Sequence, residues 1–364
     1  MKRKVSLSLC MIVKDEAKTL WRCLNSVKSF ISEIIIVDTG SKDETKEIAS
    51  KFNSKIYDFK WINDFSKARN YSFSKASMDY TLWLDADDVI LENDKKKFLT
   101  LKNTLDSNID IVMMKYNVGF DENGNVNFAY YRERLLKTSK KFTWKSPIHE
   151  VIEPSGNIIY SDICITHKKE KENYSRRNLE IFEDMLSKNI PLDCRQKYYY
   201  ARELMYNQEY QKAIDNFKKF LNEKDAWIEN KISACLDLAN CYFQLDREDM
   251  YLSSLFKSFE FDTPRAEICT TIGIFFLSKS KYNQAIYWFK QSINITPNLK
   301  SGGFIQLDYY NFIPYINLCV CYDKLGDLKK ANEYNELAGK FKPNSKEFLN
   351  NKKYFEKRLT NLVQ

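Results

Sequence analysis

The sequence predicts an α/β domain with a doubly wound sheet, followed by an all-α domain built from repeated helix pairs. Three observations carry this reading. Short apolar runs rich in β-branched residues alternate with amphipathic stretches up to residue 85. From about residue 195 the pattern is helical throughout, and it repeats. The length of 364 residues suits two or three domains at about 150 residues each, and a hydrophobic share of 44% lets each half bury a core.

The first strand is expected over residues 5–13, an apolar run of the kind buried on both faces of a parallel sheet. A helix over 17–29 follows, with Leu20, Cys23, Leu24 and Val27 at helical spacing. The run Glu33-Ile-Ile-Ile-Val-Asp38 is a second buried strand ending on a carboxylate. Thr39-Gly40-Ser41 turns the chain, and Asp43 starts a helix reaching Phe52. A short strand over 55–59, a helix over 64–77 and a strand over 80–85 complete the alternation. In such sheets ligands bind outside the carboxyl ends of the strands, which is where Asp38 and Asp85 fall. Beyond residue 110 the pattern is less regular, with strands expected over 109–116, 128–136 and 158–167 and a turn around Asn123 to Asn125. The charged stretch 168–178 begins a connecting helix, so the expected division is 1–170, a linker at 171–194, repeats over 195–350 and a terminal helix or tail at 351–364.

Within the helical half, Tyr210, Ala213 and Phe217 recur as Tyr282, Ala285 and Phe289, then as Leu328, Ala331 and Asn335. A small residue (Ala201, Gly273 or Cys319) precedes each set, and Pro297 and Pro343 close the last two units. Leu238, Ala239, Tyr242 and Pro264 mark a weaker unit over 233–264, and the spacing leaves an insertion near Leu299 to Tyr310. Small residues are needed where the helices of a pair cross closely, and aromatics fill the gap to the next pair. The pattern resembles the tetratricopeptide repeat, whose period is about 34 residues.

Composition excludes several classes. The net charge of +8 is shared evenly on either side of residue 170, with no basic stripe, so nucleic acid is not an expected partner. The nine cysteines show no C-x-x-C spacing and the chain has only two histidines, so a zinc site is not expected; free thiols suit a reducing compartment. The apolar stretch after the basic start ends at Lys14-Asp15-Glu16, too short for a signal peptide or a membrane span, and the protein is expected to be cytoplasmic. No G-x-G-x-x-G, P-loop or G-x-S-x-G motif supports nicotinamide, kinase or serine-hydrolase chemistry.

The sharpest chemical signal is Leu82-Trp-Leu-Asp85-Ala86-Asp87-Asp88. An extended chain would aim Asp85 and Asp87 to one side, where their oxygens suit Mg²⁺ or Mn²⁺; surface acids after a strand are the alternative. Together with Met11-Ile-Val-Lys14-Asp15-Glu16 and Val37-Asp38-Thr-Gly-Ser-Lys-Asp43, this run resembles the family-two glycosyltransferases of the GT-A nucleotide-sugar fold. The segment Trp61-Ile-Asn-Asp64-Phe65-Ser66-Lys-Ala68-Arg69-Asn70 further resembles a bacterial subgroup with tetratricopeptide repeats, which includes lipopolysaccharide-type sugar transferases and peptide S-glycosyltransferases. The resemblance covers roughly residues 5–170 and implies a probe-ready set of roles. Val13, Lys14, Glu16 and Asp38 would hold the uridine of a UDP-sugar, unless Asp38 only shapes the turn. Asp64 would reach the uracil edge or cap the helix at Phe65; Arg69 would face the diphosphate or hold Asp85. Asp87 would ligate the metal, with Asp85 and Ala86 against the ribose or a metal-bound water. In Trp144-Lys-Ser-Pro-Ile-His149-Glu150, Glu150 would be the base or bind a sugar hydroxyl, supported by His149, or both would be ordinary packed and surface residues. His167 would be a further metal ligand or a strand-end histidine, and Arg132 and Arg134 would grip phosphate or acceptor or merely charge a strand edge.

The resemblance thus implies a metal-dependent, inverting transferase moving a hexose or N-acetylhexosamine from a UDP-sugar with Mn²⁺ or Mg²⁺. Its acceptor would be a peptide, a protein or a cell-envelope saccharide, and the repeats would serve the acceptor or a homodimer. The competing readings are a repeat scaffold on a decayed sugar-nucleotide fold and a nucleotidyltransferase.

Overall fold

The computed structural model describes residues 4–169, 176–298 and 301–360. The chain forms two compact units. One takes the residues up to Val118 together with Ala129–Pro191, the other Gly119–Phe128 together with Leu192 onward.

The strands in chain order are β1 (Leu7–Val13), β2 (Glu33–Asp38), β3 (Lys55–Asp58), β4 (Tyr80–Trp83), β5 (Asp88–Val89), β6 (Ile111–Phe120), β7 (Val126–Lys137) and β8 (Ile158–His167). They make one sheet in the order β3-β2-β1-β4-β7-β6-β8-β5. Strands β3, β2, β1 and β4 run parallel, whereas β7 joins β4 and β5 joins β8 antiparallel. The sheet is therefore mixed: uniform strand–helix alternation ends at β4, and the later strands return without a crossover helix each. The helices of this unit are α1 (Leu20–Val27), α2 (Thr45–Ser50), α3 (Phe65–Phe73), α4 (Glu92–Thr104) and α5 (Arg177–Ser187).

Strand β2 is buried at every position and β1 at all but one, as their apolar runs require. Helix α1 buries Leu20, Cys23, Leu24 and Val27, the stripe its spacing predicts, against a core that includes Leu7, Leu9, Ile36 and Leu82. Two expectations are corrected, and two elements appear where none was expected. The strand expected over 80–85 stops at Trp83, because Asp88 N–H closes a turn on the Asp85 carbonyl at 3.0 Å. The helix expected over 64–77 ends at Phe73. Helix α4 and strand β5 occupy a stretch whose polar run Glu92–Lys97 carries no clear apolar period; α4 buries only Asp94 and Phe98. The start of the expected connecting segment, 170–175, lies outside the described residues; α5 after it buries Leu179, Ile181, Phe182 and Met185.

The second unit is helical: α6 (Cys194–Tyr206), α7 (Tyr210–Leu221), α8 (Ile228–Gln244), α9 (Glu248–Lys257), α10 (Ala266–Ser278), α11 (Tyr282–Asn294), α12 (Phe312–Lys324), α13 (Leu328–Phe341) and α14 (Lys346–Thr360). Helices α6 to α13 form four antiparallel-type pairs, including the weak unit, now α8 and α9. Ala213, Ala285 and Ala331 are fully buried at the helix crossings. At Gly273 a Cβ would come within 2.6 Å of the Phe289 ring, which explains why that position of the repeat carries no side chain. Helix α14 closes the stack, with Phe355 against Cys319 and Ala331. No helix among the described residues is long and apolar enough to cross a membrane.

Glu33 is the polar tie of the parallel strands. Its carboxylate accepts from Ser8 Oγ (2.6 Å), Lys55 Nζ (2.6 Å) and the Ser77 backbone N–H (3.0 Å). Burial works against its charge, but these donors outweigh burial and hold the carboxyl below its usual range. A depressed folded pKa stabilises above the unfolded value of about 4.3, and that stabilisation is lost as pH falls through the folded value. Glu33→Ala is expected to cost about 1–3 kcal/mol in urea unfolding at pH 7. The penalty should shrink at pH 3, and an equal penalty at both pH values would refute the electrostatic account.

Candidate active site

Because β1, β2 and β4 are parallel neighbours, their carboxyl ends open on one edge, with Val13 opposite Asp38. Asp38 is buried. Its Oδ1 accepts the Gly40 and Ser41 N–H groups, each at 2.9 Å, and Gly40 takes a φ of +106° that a side chain would resist. Its Oδ2 is buried and accepts no hydrogen bond among the described residues. Asp38 therefore shapes the turn and leaves one buried carboxylate oxygen without a donor among the described residues. The loop after β1 is strapped to that turn: Asp15, at φ +52°, donates its N–H to Ser41 Oγ, and Glu16 donates its N–H to Thr45 Oγ1 at 2.8 Å.

A cleft of about 500 Å³ opens at these strand ends. Val13, Lys14, Glu16, Arg69, Asp85, Ala86, Asp87, His149, Glu150 and His167 all line it, so both histidines of the chain meet there. Asp38, Asp64 and Arg134 do not line it. Asp64 turns its carboxylate onto the start of α3, where Oδ1 accepts Lys67 N–H at 2.9 Å and Ser66 Oγ at 2.6 Å; its neighbour Phe65 reaches the cleft instead.

Arg69 joins two carboxylates. Its Nη2 donates to Asp85 Oδ1 at 2.7 Å and its Nε to Glu150 Oε1 at 2.6 Å, while its guanidinium carbon lies 5.2 and 4.8 Å from the centres of the Trp83 and Trp144 rings, which meet each other edge-on at 4.8 Å. Desolvation would raise Asp85, but Arg69 and then Arg134 overcome it and lower its pKa to about 2. The expected extended geometry is absent: Asp85 to Asp88 form a turn, so Asp85 faces Arg69 whereas Asp87 faces His167.

Asp87, Asp88 and His167 gather ligand atoms that lie within 4.8 Å of one another. His167 Nδ1 stands 3.3 Å from Asp87 Oδ1, 3.6 Å from Asp88 Oδ1 and 3.0 Å from the Tyr116 hydroxyl. Burial alone would discharge the imidazole, but the two carboxylates push its pKa up to about 10. Asp88 Oδ1 is buried without a hydrogen-bond partner, and two carboxylates plus an imidazole are a sound donor set for a divalent ion of the Mg²⁺ or Mn²⁺ kind. The residues fit such a group. Asp88 itself was not among the expected ligands, though it is the last acid of Asp85-Ala-Asp-Asp88.

Arg134 is fully buried beneath this group. Its Nη1 donates to Asp88 Oδ2 at 3.0 Å and to the Trp83 carbonyl at 3.2 Å, and its plane lies 3.8 Å from the Trp83 ring centre. Asp88 Oδ2 also accepts the Asp85 N–H at 3.0 Å, which leaves Oδ1 turned toward Asp87 and His167. Arg132, two residues earlier on β7, is the one that reaches the cleft. Further walls come from Trp61, Phe65, Tyr116, Tyr130 and, from α5, Arg177 and Asn178. Their positions depend on long-range packing, and no local motif marks them. His149 adopts φ +49° and stacks on Phe182 of α5.

Arg134→Met is expected to cost about 3–5 kcal/mol, because it leaves the Asp88 carboxylate buried without its counter-charge. Arg134→Met with Asp88→Asn removes both charges and should be more stable than Arg134→Met alone in urea unfolding. Additive losses would show that the pair is not coupled.

Residues 8–161 match the family model described as glycosyl transferase family 2. A TPR repeat-containing protein of Synechococcus elongatus is 38% identical over 41% of this chain and 36% of its own length. The SPbeta prophage-derived glycosyltransferase SunS of Bacillus subtilis is 28% identical over 58% of this chain and 52% of its own. The chain thus spans from about a third to a half of the length of these relatives. Among solved structures, S. aureus TarS 1-349 in complex with UDP-GlcNAc aligns with a TM-score of 0.40 and 14% identity, over 68% of this chain and 89% of that one.

Proposed function

We propose, on the premise that residues 8–161 are a glycosyl transferase family 2 domain, that the cleft transfers a hexose or N-acetylhexosamine from a UDP-sugar with a divalent cation bound. The observation that carries this reading is the Asp87–Asp88–His167 group at the cleft on the strand ends of that domain. Asp38 Oδ2, a buried acceptor without a donor among the described residues, would suit a uracil N–H or a ribose hydroxyl. Asp87, Asp88 and His167 would hold Mn²⁺ or Mg²⁺, which when bound neutralises charge on a departing diphosphate.

The remaining chemistry belongs to the chain's own residues. Transfer needs a base to take the proton from the acceptor nucleophile as the new glycosidic bond forms and the bond to the diphosphate oxygen breaks. Glu150 is our candidate, with Arg69 fixing Oε1 and so orienting the carboxylate toward the cleft. His149, next to it on a strained backbone, shapes the mouth. With Glu150 as the base, a single displacement would invert the configuration at the sugar carbon. The acceptor is a peptide, a protein or a saccharide, and the repeat pairs are the part of the chain suited to a polypeptide.

Calorimetric titration of UDP and several UDP-sugars, with and without Mn²⁺, tests the donor and cation. Asp87→Asn is expected to weaken cation-dependent binding at least about tenfold, in the range typical of a lost ligand. Unchanged binding would remove Asp87 from the cation site, and no binding by the unaltered chain would favour a decayed site. Release of UDP rather than inorganic diphosphate separates transfer from nucleotidyl chemistry. Glu150→Gln keeps the bond to Arg69 but cannot accept a proton; kcat should fall about 10²–10⁴-fold while UDP affinity holds. A kcat within a few fold of the original would exclude Glu150 as the base.

A further inference from the structure

Helix α3 carries Arg69, and the same face of it holds the segment that brings Glu150 to the cleft. That segment is a tight loop. Lys145 and Val151 close it by exchanging backbone hydrogen bonds at 2.9 and 3.1 Å. Between them, Ser146 and His149 take φ angles of +71° and +49°. Two residues with side chains in the left-handed region make a costly backbone, which persists only where its surroundings over-determine it.

Those surroundings come from α3. The Phe65 N–H, a free donor of the first helical turn, reaches the Pro147 carbonyl at 2.8 Å. Four residues on, Arg69 Nε meets Glu150 Oε1. Asn70 beside it grips the entrance of the loop in both directions: Nδ2 donates to the Trp144 carbonyl at 2.9 Å, and Oδ1 accepts the Trp144 N–H at 2.8 Å. One turn further, the Phe73 ring meets Trp144 edge-on at 5.8 Å. Positions 65, 69 and 73 recur every four residues, so a single stripe of the helix meets the loop from end to end. The carboxamide of Asn70 carries a donor and an acceptor, as a peptide group does, and it pairs with Trp144 as a neighbouring strand would. Aspartate at this position lacks the donor, and alanine lacks both groups.

We propose that Asn70 is a positioning residue for sugar transfer: its two hydrogen bonds to Trp144 fix the strained loop so that the Glu150 carboxylate stands at the right place to take the acceptor's proton. Arg69 fixes one oxygen of Glu150, whereas Asn70 fixes the backbone from which Glu150 projects. Asn70 in this role depends on Glu150 being the base, as proposed above. A base displaced by about 1 Å can cost about 10²-fold in rate without any change in donor binding.

The test is a double-mutant cycle on the full chain. The readout is UDP release from UDP-glucose and UDP-N-acetylglucosamine with Mn²⁺ present and water as the acceptor. Asn70→Ala is expected to lower kcat about 10²-fold, with KM for the donor and calorimetric UDP affinity within a few fold of the original. In a Glu150→Gln background the same change should cost less than about threefold more, because the group it positions is already gone. A residue that only supports the fold would cost the same factor in both backgrounds, and that result would overturn the proposal. Full turnover by Asn70→Ala beside a slow Glu150→Gln would overturn it alone, whereas full turnover by Glu150→Gln would sink the base reading and this proposal with it. Asn70→Asp, which keeps the acceptor for the Trp144 N–H, covers a failure of Asn70→Ala to fold and should lose an intermediate factor. Hydrogen exchange read by mass spectrometry supplies a measurement independent of turnover. Peptides spanning 144–151 should exchange about tenfold faster in Asn70→Ala, while those of β1 and β4 keep their rates; unchanged exchange over 144–151 would also overturn the proposal.

Discussion

The cleft is organised around one guanidinium. Arg69 comes from α3, Asp85 from the turn after β4, and Glu150 from a segment 81 residues beyond Arg69. Each partner alone would be a poorly solvated charge, and such a group is costly unless it is paired. Lysine would not serve here. The arginine fork donates in two directions at once, and it rests near the joined Trp83 and Trp144 rings, 5.2 and 4.8 Å from their centres. Since Trp83 ends β4 and Trp144 enters the segment that carries His149 and Glu150, Arg69 and the edge contact of the two rings together tie the two sides of the cleft.

The turn from Asp85 to Asp88 faces a problem of like charge. Three carboxylates fall within four residues, and a straight strand would crowd two of them on one face. The tight turn separates them. Asp85 goes to Arg69, Asp88 sinks onto Arg134, and Asp87 shares His167 with the second oxygen of Asp88. Two of these counter-charges are permanent, whereas the third is an imidazole that can give up its proton. The site therefore keeps two fixed carboxylate positions and one exchangeable positive charge, which is the electrostatic setting a divalent cation can enter.

Much of this was legible in the sequence because it depends on local rules. Apolar runs gave β1 and β2, the spacing of Leu20, Cys23, Leu24 and Val27 gave α1, and strand-end carboxylates pointed to the cleft. Other features depend on where distant segments meet. Nothing near Tyr116, Tyr130 or Arg177 marks them as cleft walls. Arg134 reads either as a grip on phosphate or acceptor or as a strand-edge charge, and is instead fully buried against Asp88, because β7 lies in the sheet between β4 and β6. Asp64 had two readings, and its hydrogen bonds to Ser66 and Lys67 are those of a cap. Helix α4 escaped notice because its first turns are acidic and basic in succession, so the single buried ring of Phe98 carries its docking.

The repeat half makes the same point from the other direction. Alanines and glycines at fixed spacing revealed the pairs, since close helix crossings tolerate little else. The insertion showed in the sequence as a gap in the period, and its direction did not. Its composition held the clue: Phe304, Ile305, Tyr309 and Tyr310 are residues a solvent loop has no use for. The two buried carboxylates that organise the two halves then differ in one respect. Glu267 has both oxygens satisfied by the chain's own inserted segment, whereas Asp38 has one oxygen satisfied by its turn and one left without a donor. A buried acceptor without a donor costs on the order of 1–3 kcal/mol, and folds retain such a cost where something from outside relieves it. By that measure the polar contacts of Glu267 are complete within the fold, whereas the turn after β2 keeps an unmet acceptor at Asp38.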